Sequence, residues 1–230
     1  MGFRTWLKNR RPPNRPAEAP KTPPPPPLVA LADRPLADAR FSCHQPDWVH
    51  PNLQPTELHP GLYSVQLFRP EAVDAILDEL DVLRRWCDRH GLSPEPPNSM
   101  HEAGAMLDAI GLSGWVDPLH HEVLAPLATR IFPDNSPTPP PDVHAFSVEY
   151  GRSADRDLAQ HVDDSQVTVN LWLGGEAEGS AVVFEGHRCL NHLDVPPRAE
   201  ELFRWVGVPG EALIHRGLHR HRTTPIHSGK

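Results

Sequence analysis

The sequence predicts an α+β fold in which helices pack on the outside of a β-sandwich or barrel formed by residues 144–230. Three observations carry that expectation. Apolar residues recur at intervals of three and four between residues 70 and 131, which is the signature of amphipathic helices. After Phe132 the period changes to strict alternation, the signature of strands. Helical segments precede strand segments instead of alternating with them, which argues against a doubly wound parallel sheet.

Taken in order, Phe41 to about Pro60 is irregular, with Trp48 and Leu53 as packing points. "RPEAVDAILDELDVLRRWCDRHG" then places Val73, Ile76, Leu77, Leu80, Leu83 and Cys87 on one helical face. Pro70 suits the first turn and Gly91 the end. "MHEAGAMLDAIG" predicts a shorter helix with Leu107 and Ile110 inward and Gly111 as its stop. "DPLHHEVLAPLATRIF" predicts a third, capped by Asp117, started by Pro118 and kinked or shortened at Pro126. "PDNSPTPPPD" is a loop. "HAFSVEY", "VTVNLWL", "SAVVFEG" and "PGEALIHR" are strands.

Residues 11–27, "RPPNRPAEAPKTPPPPP", lack apolar periodicity and read as a solvated, extended arm; the organisation expected is a disordered basic, Pro-rich arm over 1–40, a helical support over 41–143 and the β core over 144–230. The arm is a solubilising tail or a docking segment for an SH3-like or acidic partner. The chain has 22 Lys and Arg against 30 Asp and Glu, a formal net charge of −8, so nucleic acid and anionic membrane surfaces are not expected as main partners. No stretch of about 18 apolar residues exists, and "MGFRTWLKNRR" is not a secretory signal. Cys43, Cys87 and Cys189 are too few and too far apart for a disulfide framework, which makes a reducing compartment such as the cytoplasm the expectation.

The chemistry centres on "HVDDSQVTVNLWLGG", residues 161–175. In an extended segment His161 and Asp163 point to one side, so an imidazole nitrogen and a carboxylate oxygen can grip one ion. On the strand that follows, Val167, Val169, Leu171 and Leu173 share an apolar face, while Thr168, Asn170 and Trp172 share a polar one. A third ligand must come from elsewhere, and the dense source is "HRGLHRHRTTPIHSGK", with His215, His219, His221 and His227. Two histidines and a carboxylate on one face, with open positions opposite, suit non-haem Fe(II) chemistry. Spacing alone does not choose among the four histidines.

The ordered set "EPPNSM", "IFPD", "HAFSVEY", "HVDDSQVTVNLWLG" and "HRG…H…P…SG" resembles the iron- and 2-oxoglutarate-dependent oxygenases of the prolyl-4-hydroxylase type, in particular the oxygenase-domain-containing proteins. The resemblance covers about Gly61 to Lys230 and implies a double-stranded β-helix (jelly-roll) with supporting helices. It implies Fe(II) held by His161, Asp163 and His221, the last chosen over His219 because a proline, Pro225, follows four positions later. Tyr150 matches a tyrosine near bound 2-oxoglutarate, and Thr168 and Asn170 line the same pocket. The implied reaction hydroxylates a C–H bond of a protein or small molecule and releases succinate and CO₂, with ascorbate a further candidate cofactor. The family anchors the far carboxylate of 2-oxoglutarate on a basic residue nine or ten positions after the distal histidine; here that position is Lys230 or falls in a longer natural chain, whose next strand would cover a neighbour's edge. Two other classes fit the same residues: a cupin-like zinc or manganese enzyme that does not use 2-oxoglutarate, and a non-catalytic binding module on the same fold.

Overall fold

The computed structural model describes residues 34, 36, 38–43, 45–135, 142–151, 154–174 and 179–227. Nearly all of the expected arm and Lys230 lie outside the described residues. The fold is mixed α/β, with antiparallel sheets. Strands β1 (Thr56–His59), β2 (Leu62–Gln66), β9 (Glu211–Arg216) and β6 (Val167–Leu171) form one four-stranded sheet in that spatial order. Strands β5 (Leu158–His161), β10 (His219–Thr223), β7 (Val182–His187) and β8 (Leu202–Trp205) form a second. A small pair joins β3 (Gly104–Met106) to β4 (Phe146–Val148).

Alternation along β9 shows how the layers are divided. Ala212 and Ile214 face the main core, where they meet Val73, Ile76 and Leu83 of helix α1 (Pro70–His90) and Val65 of β2. Leu213 faces the other way, into a smaller cluster with Leu62, Phe184 and Trp205. His215 points to that same interior, edge-on to Phe184 at 5.0 Å between ring centres. The first sheet therefore has one face covered by helices and the other turned to the interior that the second sheet closes. The apolar side of β6 obeys the same rule: Val167, Val169 and Leu171, with Leu173 beyond, pack on the helical core.

Several expectations about elements are corrected. The stretch expected to be irregular up to about Pro60 ends in β1, and β2 follows directly after it, so the first sheet draws on more than residues 144–230. "MHEAGAMLDAIG" is not a helix: Gly104, at φ +156°, starts β3, and Cβ there would lie 2.2 Å from the Ser147 carbonyl oxygen of its partner strand. Ile110 is still buried. In α1, which runs from Pro70 to the left-handed Gly91 cap as expected, Leu77 is exposed and the buried seam includes Glu79, paired with Arg34. Asp117 and Pro118 do not start the third helix. It begins earlier, as α2 (Ser113–Leu119), continues through a π-helical turn (His120–Leu124) and resumes as α3 (Ala125–Ile131). Pro126 falls in the first turn of α3, so its missing N–H is accommodated by the wider π turn before it.

The segment ahead of β1 is fixed by aromatic packing. Trp115 lies edge-on to Phe41 at 5.3 Å and to Trp48 at 6.2 Å, and stacks on Phe68 at 6.0 Å. Gly114 makes this contact possible, since a Cβ there would stand 2.5 Å from the Ser42 carbonyl oxygen. Among the described residues no helix is long and apolar enough to cross a membrane. Trp115→Ala is expected to cost about 3–5 kcal/mol of unfolding free energy, measured by urea titration, because the surrounding rings cannot close over so large a void.

Candidate metal centre

Edge strand β5 delivers His161 at its end, and the chain turns at once through Asp163 towards β6. Strand β10 lies beside β5 in antiparallel register, with His221 directly opposite His161. The carboxylate of Asp163 sits between the two rings: His161 Nε2 is 3.4 Å from Oδ1 and His221 Nε2 is 3.9 Å from Oδ2. One ligand atom from each of these three residues lies within 4.8 Å of the others, and among the described residues no second such group of three exists. Metal–ligand bonds of about 2.1 Å put adjacent ligand atoms roughly 3 Å apart, so small rotations close the set on one ion.

The hydrogen bonds behind the ligands fix their tautomers. His161 Nδ1 donates to the Ala159 carbonyl at 2.8 Å and His221 Nδ1 donates to the His219 carbonyl at 2.9 Å. Both protons are thereby placed on Nδ1, which leaves both Nε2 lone pairs directed at the shared space, as metal ligation requires. Thr168 Oγ1 donates to Asp163 Oδ2 at 2.6 Å, and the Ser165 hydroxyl supports Thr168 at 2.8 Å. Burial opposes ionisation of Asp163, but in the metal-free protein a second proton on His161, donated from Nε2, together with the nearby His221 and the hydrogen bond from Thr168, holds its carboxyl well below the usual range; a metal ion takes the place of that second proton. Burial likewise opposes a charge on His161, and Asp163 together with the Ala159 carbonyl reverses that and raises it.

The backbone that carries Asp163 is clamped by the β9–β10 turn. Asp163 N–H donates to the Gly217 carbonyl at 2.9 Å. A Cβ at residue 217 would stand 2.1 Å from the Ser165 carbonyl oxygen and 2.8 Å from that of Asp163, so only glycine permits the approach. The two sequence motifs, "HVDD" and "HRGLHRH", therefore touch through main chain as well as through their side chains.

Of the other candidates, His219 does not join the ligands. Its ring is buried beside Phe184 and His187, and burial pushes it down to about 4. His215 is fully buried, its Nδ1 donating to the Arg216 carbonyl at 2.8 Å and its Nε2 accepting from Asn170 Nδ2 at 3.0 Å; burial pushes it down to about 3. His227 is exposed. Thr168 turns its hydroxyl proton to Asp163, and Asn170 serves His215. Tyr150 places its hydroxyl 3.4 Å from both Thr223 Oγ1 of β10 and His101 Nε2. His101 has no counterpart among the sequence-derived candidates. It stands in the irregular "NSMHEAG" run, sixty residues before the His-x-Asp pair, and no spacing links it to the rest.

Residues 49–136 match the family model described as an OGFOD2-like domain. The chain is 36% identical over 166 residues to the Arabidopsis thaliana 2-oxoglutarate and iron-dependent oxygenase domain-containing protein CP2, covering 72% of this chain and 42% of that one. It is 33% identical over 173 residues to the ICU11 protein of the same description and organism, covering 75% and 44%. To the human 2-oxoglutarate and iron-dependent oxygenase domain-containing protein 2 it is 28% identical over 170 residues, covering 74% and 46%. The chain thus spans less than half the length of these curated relatives.

Two outcomes test this geometry. Thr168→Val should weaken binding of Co(II), titrated by absorbance under nitrogen, about 10–100-fold, the usual effect of losing a group that orients a ligand. The metal-free protein should lose stability on acidification. His215 and His219 titrate near 6.5 when unfolded but only at about 3 and about 4 when folded, so below pH 6.5 the unfolded chain binds the extra protons. The cost is up to about 1.4 kcal/mol per pH unit for each ring, opposed only near neutrality by His161, whose raised value favours the folded state below pH 6.5. An unchanged urea midpoint between pH 7 and pH 5 would contradict it.

Proposed function

From its kinship with the 2-oxoglutarate and iron-dependent oxygenase domain-containing proteins, we propose that this chain is an Fe(II)- and 2-oxoglutarate-dependent dioxygenase domain. The observation that carries the proposal is the convergence of His161, Asp163 and His221, with both imidazole tautomers set for ligation. The two sheets are the halves of a double-stranded β-helix, an assignment supported by their antiparallel pairing and by a polar interior of histidines, Asn170 and Thr168.

His161, Asp163 and His221 would hold Fe(II), which supplies the activation of O₂ for oxidative decarboxylation of the keto acid. The balance is R–H + 2-oxoglutarate + O₂ → R–OH + succinate + CO₂, with ascorbate as an accessory reductant. The residues of the chain orient and shield. Thr168 and Ser165 hold the carboxylate of Asp163 in one rotamer, and Gly217 holds its backbone. Tyr150 would receive 2-oxoglutarate through its hydroxyl, beside Thr223 two residues along β10 from His221, with Asn170 on the same interior wall. Lys230 is the proposed partner of the far carboxylate.

A cavity of about 390 Å³ adjoins His161, lined by Val162, Leu193, Asp194, Pro197 and Arg220. Arg220 holds its outer wall by donating to the carbonyls of Leu193 and Val195. That opening lies on the Arg220 side of β10, so we assign the protein or small-molecule substrate whose C–H bond is hydroxylated to the opposite, interior side of the ligands, with the Pro-rich arm as an auxiliary docking segment. Free Cys43, Cys87 and Cys189 suit a reducing, cytoplasmic setting. Asp163→Ala should abolish Fe(II)-dependent conversion of 2-oxoglutarate to succinate, followed by mass spectrometry; equal turnover in the variant would end the proposal.

A further inference from the structure

His101 is the chemically active side chain that the OGFOD2-like segment, residues 49–136, brings to the candidate site. It is buried, 7% exposed, and its hydrogen bonds can be assigned a direction. The Asn98 side-chain oxygen accepts from the Met100 N–H at 2.9 Å, so that atom is an acceptor. His101 Nδ1 lies 3.0 Å from the same oxygen and must donate to it. A neutral ring then has only a lone pair at Nε2, so the Tyr150 hydroxyl, 3.4 Å away, is the donor of that bond. Thr223 Oγ1, 3.4 Å from the phenol, donates to it in turn. The single proton of Tyr150 is therefore committed to His101 while no ligand is present.

Thr223 is two residues after His221 on β10, about 6.6 Å along the strand, so this chain of hydroxyls and imidazole flanks the metal ligands. A carboxylate that reaches Tyr150 demands its proton. When the phenol turns to the ligand, His101 Nε2 loses its donor inside a buried site, which is costly unless the ring changes role. An imidazolium solves the problem: it donates Nε2–H to the phenol oxygen, and the phenol donates to the carboxylate. One proton moves from solvent onto His101, and no covalent bond besides that N–H forms.

We propose that His101 is the positioning residue of an anion-binding relay, holding the Tyr150 hydroxyl in the free state and, by taking up a proton, backing it when a carboxylate binds. The proposal rests on the reading of Tyr150 as the contact to 2-oxoglutarate. The groups that face His101 are consistent with a ring neutral when free and able to charge. Burial pushes it down, against the attraction of Asp155, whose carboxylate accepts from the N–H groups of Glu102 and Ala103. His161 adds to the downward push and Asp163 opposes it, while Asn98, Phe146 and Tyr150, which contact the ring, are uncharged. An incoming carboxylate supplies the further negative charge.

The experiment is calorimetric titration of 2-oxoglutarate into Co(II)-saturated full-length protein under nitrogen, from pH 6 to pH 8, in two buffers of different ionisation enthalpy. The unsubstituted protein should take up a fraction of a proton on binding, and its affinity should fall as pH rises, by up to about tenfold per unit. His101→Gln, whose amide N–H can donate to the phenol oxygen without protonation, should bind with little pH dependence and little uptake. His101→Leu should bind 2-oxoglutarate about tenfold more weakly at pH 6. Both variants should bind Co(II) like the parent, which separates the relay from loss of the fold. If both variants keep the parent's pH slope and uptake, the relay is wrong and the dioxygenase reading stands. If the parent binds Co(II) but no 2-oxoglutarate, both fail together.

Discussion

The candidate site depends on one close approach, that of the β9–β10 turn to the chain between β5 and β6. At Gly217 there is no room for a single carbon, and the hydrogen bond from the Asp163 N–H to its carbonyl locks the two turns together. These turns link different pairs of strands, and each crosses from one sheet to the other. Their contact fixes where β10 lies along β5, and that register is what sets His221 across from His161. A slip of β10 by one residue would turn Arg220 inward and His221 out.

An anion in such a place is expensive unless something answers it. Asp163 is answered by two imidazoles and a hydroxyl, none of which is a fixed positive charge. The permanent cations of the same strand, Arg220 and Arg222, point to the opposite face and pair with Glu185. The interior is thus supplied with lone pairs and a carboxylate, while the guanidinium groups are kept outside it. That segregation follows from alternation along "HRHRT" alone, and it makes the space suited to a divalent cation.

The same alternation explains how much could be read in advance. Strand β6 was legible because one side faces a helical core, so Val167, Val169 and Leu171 advertise its period and place Thr168 and Asn170 opposite. Helix α1 was legible for the same reason. Strand β10 carries no apolar signal, because its inner face is histidine and its outer face arginine. Strands β1 and β2 hid in a stretch whose prolines and polar residues look like loop, although Leu62 and Val65 are buried. The helix expected at 100–111 failed on Gly104, whose backbone angle is set by pairing with β4 and cannot be read from periodicity. Leu77 was assigned inward on spacing alone, where burial of the Arg34–Glu79 pair decides which seam of α1 is covered.

His101 shows the limit most sharply. Its place beside Tyr150 requires β3 to pair with β4 and Asp155 to hold the N–H groups of Glu102 and Ala103, so the segment 98–106 is fastened to the strands before its side chain has any role. Nothing in a local window encodes that fastening, since its partners are about fifty residues away in sequence. The helical layer thus does more than cover the apolar face of the first sheet. Its connecting segment reaches past that face and contributes a polar group to the wall of the interior, next to the strand that bears His221. A site assembled in this way joins the two regions through hydrogen bonds whose direction is fixed from Asn98 onward, so the segment 98–101 is linked to Tyr150 by a route that does not pass through the metal ligands.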